Sequence, residues 1–141
     1  MSVSFNSIFL YTFVLHRDKS RTHFYALGLS DGQPKVLNHL LRHEGVSQKE
    51  LAEYCLVRPA TMTALLRKMI SDGLVYRQSL HAANGKRVFG IFLTDAGREL
   101  AEKVAQTLDT VSSLALKGFT EQEQEIFISY LQRMCENLEN K

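Results

Sequence analysis

The sequence contains only two cysteines, Cys55 and Cys135, too few for a disulfide framework, and this points to a reduced, cytoplasmic setting. Uninterrupted apolar sequence is also scarce. The run from Ser7 to Leu15 stops at His16-Arg17, well short of the roughly 20 residues a membrane-crossing helix needs, so no membrane partner is expected. The first base, Arg17, follows that run instead of preceding it, which is the wrong charge order for a secretory signal. Absent too are a Gly-x-x-x-x-Gly-Lys phosphate loop, a Gly-x-Ser-x-Gly elbow and a His-Glu-x-x-His helix. Without such a constellation the scattered Ser, His and Asp residues argue against an enzyme and against a cofactor. His39 and His43 stand four residues apart on one helix face, as two metal ligands would, but no third ligand beyond the adjacent Glu44 joins them. They read as solvated side chains, with no metal. Internal repeats and low-complexity tracts are likewise missing.

What is present is an ordinary globular composition, with 45% hydrophobic and 23% charged residues over 141 positions, enough for a single domain with a sizeable core. Phe5, Ile8, Phe9, Thr12 and Phe13 recur with helical spacing, and Leu10 and Val14 widen the apolar surface beyond one face. Two arrangements fit that width: a helix buried between its own domain and a partner, or a plain core helix. Ser30 to Gln33, Ser47 to Glu50 and Thr120 to Glu123 have the spacing of a capping box, and Thr94-Asp95 is a fourth helix start. Gly28, Gly45, Gly73 and Gly118 fall where periodic patterns end. Between Gly73 and Thr94 the pattern turns to strands, Leu74-Val75-Tyr76 and Val88 to Leu93, with the hairpin signal Asn84-Gly85 between them. The order is four helices, a hairpin, a long helix and a closing helix.

Ser47 to Gly73 read as two short helices and a tight turn. Leu51, Ala52 and Tyr54 lie on the first helix, Cys55-Leu56-Val57 form the corner, and Pro59 opens the second, where its missing N–H costs nothing. Met62, Leu65, Leu66, Met69 and Ile70 make the inward stripe of the second helix. Ala60, Thr61, Thr63, Ala64, Arg67 and Lys68 remain outward, small and hydroxylated first, basic one turn later. Such a face lets a backbone approach base edges, offers threonine to a base or a thymine methyl, and offers arginine to guanine. A merely solvated helix face has the same composition. The charge distribution separates the two readings. No acid occurs from Leu74 to Leu93, and Arg58 to Arg87 hold Arg58, Arg67, Lys68, Arg77, Lys86 and Arg87 against Asp72 alone, a net +5. Residues 95–141 carry a net −4. A helix-turn-helix followed by a basic two-stranded wing suits the phosphates flanking a groove of double-stranded DNA.

From Leu29 to Leu100 the chain resembles the MarR family of winged-helix transcription regulators. The likeness rests on Leu29-Ser30-Asp31-Gly32-Gln33-Pro34-Lys35-Val36-Leu37, Gln48-Lys49-Glu50-Leu51-Ala52 and Arg58-Pro59-Ala60-Thr61-Met62-Thr63. It continues with Leu65-Leu66-Arg67-Lys68-Met69, Asp72-Gly73-Leu74-Val75, Lys86-Arg87 and Leu93-Thr94-Asp95-Ala96-Gly97-Arg98. The resemblance implies a mainly α (α+β) fold, a winged helix-turn-helix with flanking N- and C-terminal dimerisation helices. On this reading 1–141 is one MarR-like domain, 30–94 its DNA-binding unit, and 1–28 and 95–141 a helical dimerisation frame. It also implies an intertwined homodimer, most often a repressor, on a pseudo-palindromic operator. Pro59, Thr61, Thr63 and Arg67 would face bases, with Arg58, Ala64, Lys68 and Arg77 in the same surface. Ser47 and Gln48 would meet phosphate at a helix start, and Lys86 and Arg87 would enter a flanking minor groove. The family's wing usually carries an acid two positions before its second base. Gly85 stands there in this chain, so Arg87 is expected to be freer than usual and the wing more mobile.

Many relatives bind small aromatic or anionic effectors beside the first helix, where Tyr11, His16, Arg17, His23 and Phe24 are the available candidates, though taken singly each reads more simply as a packing or surface residue. Cys55 and Cys135 read as buried and inert, since no cysteine lies near the N-terminus, where relatives commonly sense oxidants. The competing reading of the whole chain is a winged-helix protein–protein interaction module without specific DNA binding. That reading predicts a neutral or apolar outward face on the Pro59 helix and gives no reason for an acid-free wing.

Overall fold

In a computed structural model, which describes residues 2–139, the chain forms six helices and one hairpin. Met1, Asn140 and Lys141, the ends of the frame expected from the sequence, lie outside the described residues. The order is α1 (Phe5–Ala26), α2 (Gln33–Arg42), α3 (Gln48–Cys55), α4 (Pro59–Ser71), β1 (Val75–His81), β2 (Arg87–Leu93), α5 (Asp95–Ala115) and α6 (Glu121–Glu139). The mainly α winged-helix class and the element order agree with the expectation.

The core is built where sequence periodicity places it. Val36, Leu37 and Leu40 of α2, Leu51 of α3, and Met62, Leu66 and Met69 of α4 are fully enclosed. Val75 and Ile91 of the hairpin and Ala101 and Val104 of α5 close the cluster. The stripe expected on α4 is corrected at its C-terminal end: Ile70 stays 41% exposed, because it borders the open cleft between α4 and β1. α5 packs across α2 and extends beyond the core.

Thr94 and Thr120 cap their helices as expected, whereas the Ser47 box forms only its Ser47 half, with no return bond to the Glu50 carboxylate. Ser47 and Thr94 accept the N–H groups of Glu50 and Gly97, and Thr120 and Glu123 bond reciprocally. At Ser30 only half of the box exists. Gln33 Oε1 accepts the Ser30 N–H at 3.0 Å, but a turn at Asp31-Gly32 intervenes and the helix starts at Gln33, with Gly32 as its cap at φ 90°. The first strand also runs five residues past Tyr76, pairing from Val75↔Leu93 to His81↔Arg87, because nothing in Arg77 to His81 opposes extension. Val46 adds a bridge to Ile91, with Gly45 N–H donating to the Ile91 carbonyl at 2.8 Å. This close approach explains Gly90, where a Cβ would lie 2.7 Å from the Gly45 carbonyl oxygen.

α6 adds no buried residue to this core, and α1 reaches it only near its C-terminal end, through Phe24. Ser20 is the only buried residue of α1, and α6 has none. Phe5, Ile8, Phe9 and Phe13 of α1 and Ile126, Phe127, Tyr130 and Leu138 of α6 stand open to solvent in the single chain. Of the two arrangements for the first helix, the plain core helix does not hold. Cys135, expected to be buried, is exposed on α6 for the same reason.

Candidate nucleic-acid interface

The turn between α3 and α4 sets the position of the outward face. α3 ends at Cys55, and Leu56 takes a left-handed conformation, φ 55°, as its cap. That conformation is costly for a side chain with a Cβ, and in it the Leu56 N–H closes the helix end by donating to the Ala52 and Glu53 carbonyls. Arg58 follows in extended conformation and Pro59 opens α4. Ala60, Thr61, Thr63, Ala64, Arg67 and Lys68 are all exposed on the face opposite Met62, Leu66 and Met69.

Electrostatically this face is almost uncompensated. Lys68 Nζ meets Asp72, the one acid of the segment, at 3.2 Å. Among the described residues, Arg58, Arg67, Arg77, Lys86 and Arg87 pair with no carboxylate. Five exposed positive charges are therefore left unpaired along α4 and the hairpin.

Part of the surface is locked together by hydrogen bonds that sequence reasoning did not anticipate. Arg77 Nη2 of β1 donates to Gln48 Oε1 of α3 at 2.9 Å, and Gln48 Nε2 donates to Thr63 Oγ1 of α4 at 2.7 Å. The Thr63 hydroxyl in turn donates to the Pro59 carbonyl at 3.0 Å. Three elements are thus tied by one side-chain chain across 29 residues of sequence. Thr63, Arg67, Ile70 and Arg77 border a shared cleft between α4 and β1. The Ser47 hydroxyl is engaged in its own cap.

Lys86 and Arg87 lie at the far end of the wing, remote from α4. Gly85 takes φ 79° and Asn84 Oδ1 accepts the Lys86 N–H at 3.0 Å, which closes the tip. Arg87 is not free, contrary to the expectation drawn from the missing acid. Its Nε donates to Ser79 Oγ at 2.7 Å across the hairpin, and its guanidinium lies 5.7 Å from the centroid of the Phe89 ring. Ser79, Phe89 and Arg87 share a face by strand alternation, the one signal that would have suggested this brace.

A second feature lies beside the first helix. A cavity of about 450 Å³ opens between α1, the loop before α2, and Tyr54 of α3. His16, Arg17 and Phe24 line it, whereas Tyr11 and His23 are not among its lining residues. Arg21, Lys35 and Tyr54, which sequence reasoning missed, line it too. Asp31 accepts from Arg21 and from the Tyr25 hydroxyl, each at 3.1 Å, so the Arg21 charge is already balanced. Tyr54 stacks on His39 at 3.8 Å between ring centroids, and His43 lies 4.7 Å from His39. Burial, and then the like charge of His43, hold the His39 pKa below its ordinary value, against a smaller opposing pull from Glu50. The two histidines are therefore part of a ring stack, and no group of three metal-ligating side chains occurs among the described residues. Burial also pushes the Cys55 thiol up, which disfavours the reactive thiolate.

Comparison with known proteins bears on the whole arrangement. Residues 27–87 match the MarR family model. The chain is 31% identical over 119 residues to the HTH-type transcriptional repressor YetL of Bacillus subtilis, covering 82% of this chain and 70% of that protein. Its fold superposes on the solved transcriptional regulator PA3341 with a TM-score of 0.86 and 32% identity, over 98% of this chain and 100% of that one. A MarR-family regulator from Listeria monocytogenes, solved in complex with a 26mer DNA, has the same fold, with a TM-score of 0.81 at 24% identity over 98% of this chain and 90% of that one. The chain belongs to the MarR family and is a transcriptional regulator of the winged helix-turn-helix type.

Proposed function

We propose that the protein is a cytoplasmic, homodimeric repressor that binds a pseudo-palindromic operator and releases it in response to a small aromatic or anionic effector. One observation carries the DNA reading: five bases without a carboxylate partner, Arg58, Arg67, Arg77, Lys86 and Arg87, on the exposed side of α4 and the wing. Neutralising phosphates with such a surface releases counterions and gives strongly salt-dependent binding. Residues 30–94 act as the DNA-binding unit. α4 enters a major groove, with Pro59, Thr61, Thr63, Ala64 and Arg67 toward the bases and Lys68 toward the backbone. The N–H groups at the start of α3, beside Ser47, meet a phosphate, and Lys86 and Arg87 reach the adjacent minor groove. The Listeria monocytogenes regulator solved with DNA has the fold this reading requires.

Residues 1–28 and 95–141 act as the dimerisation frame. The open aromatic and aliphatic faces of α6 and of the N-terminal half of α1 support this, since the single chain leaves both uncovered. The cavity beside α1 takes the effector, with Arg17, Lys35 and His16 for an anionic group and Phe24 and Tyr54 for a ring. Tyr54 belongs to α3, so a ligand seated there bears directly on the helix that Gln48 links to α4. The reading assigns no catalytic role to any residue.

Titrating the protein against duplex DNA from upstream of its own gene, at several salt concentrations, tests this. The expected result is nanomolar-range binding that weakens steeply with salt. A flat salt response, or no preference over random duplex, overturns it.

A further inference from the structure

Threonine on a recognition helix can read a base in two ways, through its hydroxyl or through its methyl. At Thr63 the hydroxyl is already occupied. Its proton goes to the Pro59 carbonyl at 3.0 Å, and it accepts from Gln48 Nε2 at 2.7 Å. Gln48 is itself held by Arg77 from the other side, at 2.9 Å. The side chain is nevertheless exposed, beside the cleft it shares with Arg67, Ile70 and Arg77. What it has left to offer a groove is its γ-methyl, on the same cleft as the exposed Ile70.

We infer that Thr63 reads a thymine C5-methyl by apolar contact, and that Gln48 is a positioning residue that holds the Thr63 hydroxyl out of hydrogen-bonding reach of the bases. This rests on the DNA-binding reading above and sharpens it, from a general base contact to one base and one chemical group. Gln48, taken from the sequence for a phosphate contact, acts here through Thr63. A hydroxyl with one committed proton and one committed lone pair is a poor discriminator between bases. A methyl packed on a methyl discriminates thymine from cytosine and, more tellingly, from uracil, which pairs like thymine but lacks the methyl.

Deoxyuridine therefore isolates the contact. Duplexes would first be selected by the wild-type protein from a random library, and each thymine then replaced in turn by deoxyuridine. One position per half-site should lose about fourfold in affinity, or about sixteenfold when both half-sites are changed, the value of one buried methyl-sized group in each. Thr63→Ser, which deletes the methyl and keeps the hydroxyl, should bring the thymine-to-uracil ratio at that position to about one. Thr63→Val, which keeps a methyl and deletes the hydroxyl, should preserve the ratio even where overall affinity falls. Gln48→Ala should narrow the ratio, because the Thr63 side chain then keeps only its bond to the Pro59 carbonyl and its methyl is held less firmly toward the groove. Wild-type affinity insensitive to deoxyuridine at every thymine would overturn the assignment, as would an unchanged ratio in Thr63→Ser. Failure to select any duplex would instead remove the DNA-binding reading itself, so the two failures are distinct.

Discussion

Glu44 Oε1 lies 2.7 Å from Arg98 Nη2 and also accepts the Leu93 N–H at 2.9 Å. One carboxylate, just past the end of α2, thus holds both the last residue of the wing and the first turn of α5. The ion pair is partly exposed, 42% on the Arg98 side chain and 29% on Glu44, so by itself it contributes at most about 1 kcal/mol. The Leu93 N–H matters more, because Leu93 is only 5% exposed and its N–H would be left without an acceptor. Glu44→Ala should therefore destabilise the protein by about 1–3 kcal/mol, and Glu44→Gln, which keeps an acceptor, by less. Urea unfolding of the two variants checks this. Equal losses would show that the charge, and not the N–H, matters.

Gly97 sits in the first turn of α5 against the backbone where the hairpin begins. A Cβ there would overlap the Leu74 carbonyl oxygen, and that oxygen is already fixed as the acceptor of the Thr94 N–H at 3.1 Å. Thr94 also donates its hydroxyl to the Gly73 carbonyl at 2.6 Å, so the strand cannot drift aside without breaking two bonds. Gly97→Ala should cost about 3 kcal/mol, the upper end of overpacking penalties, despite alanine's better helix propensity. A melting temperature equal to or above wild type would show that the junction yields more easily than these bonds suggest.

Arg67 and Arg87 are both exposed and unpaired with acid, yet they differ in position: one on the outward face of α4, the other at the base of the wing tip. Arg67→Ala should weaken binding to the selected operator by about 1–3 kcal/mol and relax discrimination at one base position, with little effect on random duplex. Arg87→Ala should weaken binding to all sequences and lower the salt slope by about one. Parallel titrations on cognate and random DNA separate the two. Equal losses on both duplexes for Arg67→Ala would show that it contacts phosphate only.

The helices, the hairpin and most of the core were legible because each rests on local signals: i, i+3, i+4 stripes, hydroxyl caps, and Gly or Pro at element ends. The charge asymmetry that marks the candidate interface was legible for the same reason, since the basic segment is contiguous in sequence. What escaped were contacts between residues distant in sequence. Nothing local joins Gln48 to Thr63 and Arg77, and Glu44, a sequence neighbour of His43, meets Arg98 only through the fold. Arg87 illustrates the converse. The absence of an acid at Gly85 suggested a loose side chain, and Ser79, on the opposite strand, replaces the missing partner with a neutral acceptor. α6 shows a further limit of local signals: its exposed Ile126, Phe127, Tyr130 and Leu138 have nothing in the single chain to cover.

His39 gives the stability of the fold a predictable pH dependence. Its ring stacks on Tyr54, with His43 beside it on the same helix and Glu50 facing it from α3. Burial and the His43 charge lower its pKa in the folded state below the ordinary 6.5, and Glu50 offsets only part of this. Below that value the unfolded chain takes up a proton that the folded one resists, so the unfolded state binds more protons and stability falls as pH drops. The slope contributed by one such group is at most about 1.4 kcal/mol per pH unit. Thermal unfolding from about pH 7.5 down to about 5.5 should thus show a steeper loss for wild type than for His39→Gln, which cannot titrate. His43→Gln should reduce the slope by a smaller amount, because it removes the like charge but leaves the burial. Superimposable pH profiles for wild type and His39→Gln would mean that the ring is protonated in the fold as readily as in the unfolded chain.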